Sequence, residues 1–236
     1  MLKPVALVTG ASRGIGKAIA LALAKASYDL IICARNTRNL NALKKEITSA
    51  FPNTIVTAFA CDVSNINQIA ELVAEVKKKY KAIDVLINNA GVFLPGLIHS
   101  EKPGTLEKLL NTNLYSAYHL SRAFLPAMIK RKQGHLVFIS SVAGIQAYAQ
   151  GGSYSISKFA LQGLAKSLRE ELKPFNIRVS TLIPGATQTD SWAGTDLPAS
   201  RFMQPEDVAA IVVQLLLLPQ HTVIEEVIMR PLKGDI

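Results

Sequence analysis

What most limits this chain is a strict alternation along its whole length. Short, largely apolar runs take turns with longer amphipathic segments. Val5-Ala6-Leu7-Val8 leads into a helical stretch from Ile15 to Ala26, and Leu30-Ile31-Ile32-Cys33 into one from Leu40 to Ala50. Ile55 to Ala60 precedes Ile66 to Tyr80, and Val85-Leu86-Ile87 precedes a long helical region from Thr105 to Ile129. Leu136-Val137-Phe138-Ile139 comes before a helix from about Gly152 to Leu172. Val179-Ser180-Thr181-Leu182 comes before one from Pro205 to Leu218, and Val223 to Met229 closes the series. Runs apolar at every position, rather than at every second one, belong to strands buried on both faces. Strands that take turns with helices cross over right-handedly and lie parallel. The expected architecture is α/β: a doubly wound, seven-stranded parallel sheet with helices on both faces. No internal repeat, low-complexity tract or Pro/Ser-rich linker interrupts it, so residues 1–236 are expected to form one domain.

Composition removes several classes of function. With 49% apolar and 18% charged residues the chain has material for a sizeable core and is not of the disordered type. Its 26 Lys and Arg against 17 Asp and Glu leave a formal charge of +9, which directs attention to nucleic acid, a membrane surface or a phosphorylated ligand. One Trp and 6% aromatics offer little for base stacking. The runs Lys77-Lys78-Lys79 and Lys130-Arg131-Lys132 fall at expected helix ends, where cations suit the helix dipole, so no nucleic-acid partner is expected. The greasiest stretch, Val208 to Leu218, carries Gln214 and is too short for a bilayer, which takes about 20 residues. Met1-Leu2-Lys3-Pro4 passes straight into the first apolar run without the pattern of a signal peptide, so a cytoplasmic protein without membrane association is expected. Cys33 and Cys61 lack the spacing of a zinc site and read as buried thiols in a reducing compartment; no metal is expected.

The first strand ends in Thr9-Gly10-Ala11-Ser12-Arg13-Gly14-Ile15-Gly16, where a helix begins. Gly10 lets the chain turn off the strand, Gly14 admits close backbone approach to a diphosphate, and Gly16 lets the helix pack on the sheet. The helix N-terminus adds free N–H groups and partial positive charge for the anion. A nucleoside-triphosphate loop would need Gly-x4-Gly-Lys-Ser/Thr; here Ala18 follows Lys17 and no hydroxyl is placed for magnesium.

Further motifs stand in order beyond the loop: Asn88-Asn89-Ala90-Gly91 after the fourth strand, Tyr154-Ser155-Ile156-Ser157-Lys158 at the start of a helix, and Pro184-Gly185 after the sixth strand. With Gly-x3-Gly-x-Gly preceded by Thr, this set resembles the short-chain dehydrogenase/reductase family over nearly the whole chain. The resemblance implies a Rossmann-type fold and a nicotinamide cofactor. The second strand ends Cys33-Ala34-Arg35-Asn36, without the carboxylate that binds a ribose 2′-hydroxyl in NAD sites. Arg35 falls where a 2′-phosphate would sit, and Arg13 can approach from the other side; two guanidinium groups suit a phosphate dianion, so NADP(H) is expected. The resemblance also places Ser12 and Ile15 with the glycine loop, Asp62 and Val63 beside the adenine, and Asn89, Ala90 and Gly91 along the adenosine ribose. Asn88 or Asn89 would brace the central strands, and Pro184, Gly185, Thr187 and Thr189 would hold the nicotinamide end. Without the resemblance, Asp62 is a turn residue after a strand.

Tyr154 and Lys158 lie one helical turn apart and share a face. In the resembled family a catalytic serine stands thirteen residues before the tyrosine, which selects Ser141 over Ser140; Asn113 matches a fourth catalytic position. Reduction of a carbonyl builds negative charge on its oxygen, which must then take a proton. Tyr154 is the expected general acid, with Lys158 lowering the pKa of a phenol that is ordinarily near 10 and anchoring the cofactor ribose. Ser141 would donate a hydrogen bond to the developing oxyanion, and Asn113 would hold a water in a relay behind Lys158.

The segment that covers the substrate is short, at about 190–204, and carries Trp192, a candidate stacking surface for a planar substrate. The ending, Glu225 to Ile236, departs from the Val-Asp-Gly-Gly of 3-oxoacyl-carrier-protein reductases. With the Trp-bearing lid it looks more like bacterial sepiapterin reductases and their carbonyl-reductase relatives. The expected activity is NADPH-dependent reduction of a small-molecule ketone to an alcohol. The alternatives are 3-oxoacyl-carrier-protein reduction and a non-catalytic NADP-sensing or assembly protein, which would be expected to lack part of the Ser-Tyr-Lys set. The resemblance further implies a homodimer or homotetramer joined through the helices bearing Asn113 and Tyr154, with Phe159, Leu164 and Leu168 available for the contact.

Overall fold

Adjacent residues of a strand point to opposite faces of a sheet, so a run that is apolar throughout needs cover on both sides. That is how the chain folds. The computed structural model describes residues 3–236, which leaves Met1 and Leu2 of the expected N-terminal reading outside the described residues. The strands are β1 (Val5–Thr9), β2 (Asp29–Ala34), β3 (Val56–Ala60), β4 (Val85–Asn88), β5 (Gly134–Ile139), β6 (Ile177–Pro184) and β7 (Glu226–Met229). They form one seven-stranded sheet in the order β3-β2-β1-β4-β5-β6-β7, parallel throughout. The helices are α1 (Gly14–Lys25), α2 (Thr37–Ala50), α3 (Ile66–Lys79), α4 (Thr105–Leu110), α5 (Ser116–Arg131), α6 (Gly152–Leu172) and α7 (Pro205–Leu217). Val8, Ile32 and Val137 meet α1, α2 and α7 on one face, through Ile19, Leu43 and Val212 among others. Their neighbours Leu7, Ile31 and Leu136 meet α3, α5 and α6 on the other, through Leu72, Phe124 and Leu161.

Strand order reverses between β1 and β4: successive strands are added outward from β1 to β3, then the chain crosses to β4 and adds strands on the other side. In an open parallel sheet this is where the loops at the carboxyl ends part and leave a crevice for a ligand. Among the described residues no helix is long and apolar enough to cross a membrane.

Three details depart from or refine the sequence reading. The helical region after β4 is not uniform: α4 passes into a π-helical turn, Asn111–Tyr115, before α5. There Ser116 N–H reaches back five residues to Asn111 C=O, the wide-turn hydrogen bond that often marks a functional position. Of the last apolar run, only Glu226–Met229 pairs, at the sheet edge. Leu168, expected as an available contact, is buried in the core beneath α6, whereas Phe159 on the same helix is exposed. Cys33 and Cys61 are buried free thiols. Burial pushes both upward, Cys61 to about 11, which leaves them protonated and poor nucleophiles.

At the amino end of β5, His135 is 2% exposed. Its Nε2 lies 2.8 Å from Ser180 Oγ, and that hydroxyl donates to Ile224 C=O at 2.6 Å. Ser180 therefore accepts from His135, which fixes the Nε2–H tautomer and leaves Nδ1 bare in the core. Burial, aided by the nearby Arg178 cation, pushes this imidazole down to about 3. The unfolded histidine takes up a proton near 6.5 while the folded one resists, so stability drops as pH falls from about 6.5 towards 3. For this group the slope reaches about 1.4 kcal/mol per pH unit. Denaturant unfolding between pH 7 and 4.5 should show a shallower decline in His135→Phe than in the unmodified chain. Equal slopes would remove His135 as the cause.

Candidate active site

The crevice at the reversal point is built from the turn after β1. Gly10 and Gly14 adopt φ of +64° and +53°, conformations that side-chain-bearing residues rarely hold. A Cβ on Gly10 would stand 2.9 Å from the Ala90 Cα, and one on Gly16 would collide with Asn89 Nδ2 and the Gly10 carbonyl. Asn89 is the brace: its Nδ2 donates to Thr9 C=O at 2.8 Å and to Gly10 C=O at 3.3 Å. Thr9 Oγ1 donates to Ile87 C=O at 3.1 Å and accepts from Asn89 N and Ala90 N at 3.0 Å each. Its neighbour Asn88 is buried instead and reaches Ser121 Oγ at 3.4 Å. Of the two asparagines that sequence left open, Asn89 ties the glycine loop to the end of β4.

This framework opens a groove of about 410 Å³. Gly10, Ser12, Arg13, Gly14, Ile15 and Gly16 line its floor, and Arg35, Asp62 and Val63 one end. Asn89, Ala90 and Gly91 line its wall, so every loop, ribose-side and adenine-side position expected from sequence comes together here. Arg13, the residue before α1, makes no capping hydrogen bond with its side chain, so the α1 N-terminus faces the groove uncapped. The two arginines have partners. Arg13 Nη1 lies 2.5 Å from Asp190 of the lid, and Arg35 Nη1 is 4.0 Å from Asp62. Asp62 is also the turn residue that the plain reading made it, its Oδ1 accepting Ser64 N at 3.0 Å and Ser64 Oγ at 2.7 Å.

A second cavity of about 320 Å³ adjoins the first, sharing Ile15, Thr189 and Ser191 with it. Pro184, Gly185 and Thr187, expected at the nicotinamide end, line this cavity together with Ser141, Tyr154 and Trp192. Thr187 turns its hydroxyl onto Gly185 C=O at 3.1 Å, leaving its oxygen as an acceptor. Phe93 sets its ring edge-on to Tyr154 with centroids 4.8 Å apart, and Trp192 packs between Phe93 at 6.3 Å and Phe202 at 5.2 Å.

Ser141 stands just past β5, where its Oγ caps a short 3-10 turn by accepting Ala143 N at 3.2 Å. Tyr154 and Lys158 project from the first turns of α6, with Lys158 Nζ 5.9 Å from the phenol ring centre and donating to Ile139 C=O at 3.1 Å. Asn113 sits in the π-helical turn, buried. Its Oδ1 accepts Val92 N at 2.8 Å; its Nδ2 donates to Val92 C=O at 3.1 Å and Ser157 Oγ at 2.9 Å. Both amide hydrogens are thereby used, so a water held by this side chain would have only the remaining Oδ1 lone pair.

In the protein alone, burial sets the titration of the pair. Burial pushes the Tyr154 phenol up to about 12, against a smaller downward pull from the Ser141 hydroxyl, rather than Lys158 drawing it down. Lys158 itself is pushed down to about 8 by burial. Removal from water disfavours the charged form of each group. At neutral pH the phenol holds its proton, the form required of a general acid.

Sequence reasoning missed Phe93, Gln146, Tyr148 and Asp235, all of which line the second cavity. Asp235 is its charged lining residue and pairs with Arg230 at 2.8 Å. None of these stands at a recognisable spacing from the motifs; each arrives through a loop.

The family model for the short chain dehydrogenase matches residues 4–197. A sepiapterin reductase of Chlorobaculum tepidum is 34% identical over 243 aligned positions, covering 100% of this chain and 99% of that protein. Among solved structures, a metagenomic short-chain oxidoreductase in complex with NADP is 38% identical with a TM-score of 0.85, covering 97% of this chain and 96% of that one. An alcohol dehydrogenase from the archaeon Thermococcus sibiricus, complexed with 5-hydroxy-NADP, superposes with a TM-score of 0.92 at 27% identity over 100% and 99% of the two chains. With its glycine loop, its Ser141-Tyr154-Lys158 set and a match that spans the reversal crevice, the chain belongs to the short-chain dehydrogenase/reductase family of oxidoreductases.

Proposed function

We propose that the chain reduces the carbonyl group of a planar or extended small molecule to an alcohol, using NADP(H). One observation carries the reading: the glycine-loop groove adjoins an aromatic-walled cavity that Ser141 and Tyr154 both line. The groove fits a dinucleotide, since its loop glycines leave a cradle that Cβ atoms would fill and the α1 N-terminus is uncapped. Arg35 and Arg13 on its rim favour a 2′-phosphate, as do relatives whose solved structures hold NADP. When bound there, the reduced nicotinamide supplies a hydride to the carbonyl carbon.

The chain's own residues do the rest. Tyr154, protonated at neutral pH, gives its proton to the carbonyl oxygen as negative charge builds there. Ser141 O–H donates to that same oxygen. Lys158, buried below the phenol, takes the role of ribose anchor and of positive charge behind the departing proton. Asn113 holds Val92 and Ser157 in place through three hydrogen bonds, which keeps α6 and the Gly91 turn in register. Phe93, Tyr148 and Trp192 offer flat apolar faces to a substrate in the cavity. The sequence similarity to a sepiapterin reductase supports a pterin-type ketone as one candidate substrate.

NADPH oxidation measured against sepiapterin, aromatic and aliphatic diketones and acetoacetyl thioesters tests this reading. The flat, neutral ketones should be turned over with higher kcat/KM than the thioesters. Preference for the thioesters would transfer the assignment to 3-oxoacyl reduction, and NADPH binding with no turnover on any of them would favour the sensing role.

A further inference from the structure

Tyr154 and Lys158 share α6, so the seating of its first turn decides where the phenol reaches. Residue Gly151 caps this helix and brings no side chain to accept an amide. The first N–H groups of any helix lack intrahelical acceptors. At α6 the acceptor comes from far away in the chain. Glu101, 52 residues earlier in the loop after β4, accepts Ser153 N–H on Oε1 at 2.9 Å and the Ser153 hydroxyl on Oε2. From the same loop, Gly96 N donates to Gln150 C=O at 2.8 Å. The two segments meet too closely for side chains: a Cβ on Gly152 would collide with Glu101 Oε1 and with the Gly96 carbonyl. Phe93, at the start of this loop, is the ring that abuts Tyr154 edge-on. One loop thus grips α6 at its backbone and touches the phenol at its ring.

We propose that Glu101 is a positioning residue for the reduction: its carboxylate seats the first turn of α6 and thereby sets the reach of the Tyr154 hydroxyl. Glu101 lines neither the groove nor the aromatic cavity, so it acts through Ser153 rather than on substrate or cofactor. A carboxylate also suits the positive end of the helix dipole, which favours Glu at this place over a neutral acceptor. The catalytic consequence rests on the carbonyl-reductase reading above; the seating of the helix does not.

The test pairs Glu101→Ala with Glu101→Gln. The glutamine carbonyl still accepts Ser153 N–H, and its amide can donate to the Ser153 hydroxyl. In Glu101→Ala, kcat per NADPH-binding site should fall by about 10- to 100-fold, the penalty of an ångström-scale misplacement, with KM nearly unchanged. Hydrogen exchange at the amides of Ser153, Tyr154 and Ser155 should quicken in Glu101→Ala while the rest of the fold keeps its protection. Glu101→Gln should recover most of kcat and of that protection. A merely structural cap would lower the fraction of NADPH-binding protein and leave kcat per site intact, which would overturn the proposal. Exchange at the first turn that does not respond to Glu101→Ala would overturn it as well. If Glu101→Ala yields no folded protein, Ser153→Ala serves: a several-fold lower kcat and faster exchange are expected, and no change in either overturns the proposal. Failure of the unmodified chain to oxidise NADPH with any carbonyl would sink the reductase reading alone, and the exchange data would still decide the seating.

Discussion

Replacing Tyr154 with phenylalanine is expected to remove nearly all turnover while leaving NADPH binding close to intact. The substitution deletes one hydroxyl and keeps the ring, so the edge-on contact with Phe93 at 4.8 Å survives and the cavity keeps its shape. What disappears is the proton. General acid–base catalysis by a positioned group contributes about 10²–10⁴-fold, and a loss within that range is expected in kcat. With burial holding the phenol at about 12, Tyr154 carries its proton throughout the neutral range. NADPH fluorescence titration alongside steady-state rates makes the measurement. Retained turnover would mean that another group donates the proton.

Arg35→Asp should collapse or reverse a preference for NADPH over NADH. Arg35 sits just past β2 with its side chain 59% exposed and its guanidinium 4.0 Å from Asp62, open to an arriving phosphate. A hydrogen bond to a charged group is worth about 1.5–3 kcal/mol, and a carboxylate in its place adds repulsion. The NADPH:NADH ratio of kcat/KM should therefore fall on the order of 10²-fold. Arg13→Ala should cost less, because Arg13 must first give up Asp190 at 2.5 Å to meet a phosphate. Steady-state kinetics with both coenzymes decides; equal use of the two by the unmodified chain would sink the assignment.

Most of the fold was legible in the sequence because the signals for it are short-ranged. A strand buried on both faces must be apolar at every position, as Leu30 to Cys33 are, and an amphipathic helix repeats every turn, as Ile66 to Tyr80 does. The expected bounds of α6, Gly152 to Leu172, match the helix that forms. The glycine loop and the Tyr154–Lys158 pair were equally legible, since turn geometry and a one-turn offset depend on residues within a few positions of one another. The same holds for the choice of Arg35 at the end of β2, a position counted from the loop.

What the local pattern left open was decided by contacts between distant segments. Only the approach of β1 to the end of β4 selects Asn89 over Asn88 as the brace, through Thr9 and Gly10. Glu101 meets Ser153 across 52 residues, and Phe93, Tyr148 and Asp235 reach one cavity from three loops, with no spacing to announce them. The phenol's proton affinity in the protein alone depends on the fold for a related reason. The offset from Tyr154 to Lys158 is local, but desolvation depends on everything packed around the pair, and that shell exists only in the folded chain. Sequence by itself determined the sheet, the glycine loop and the one-turn offset of Tyr154 and Lys158, because periodicity and backbone geometry are properties of neighbours. Tertiary structure alone decided how those side chains are held and charged, because burial and long-range hydrogen bonds are properties of the whole.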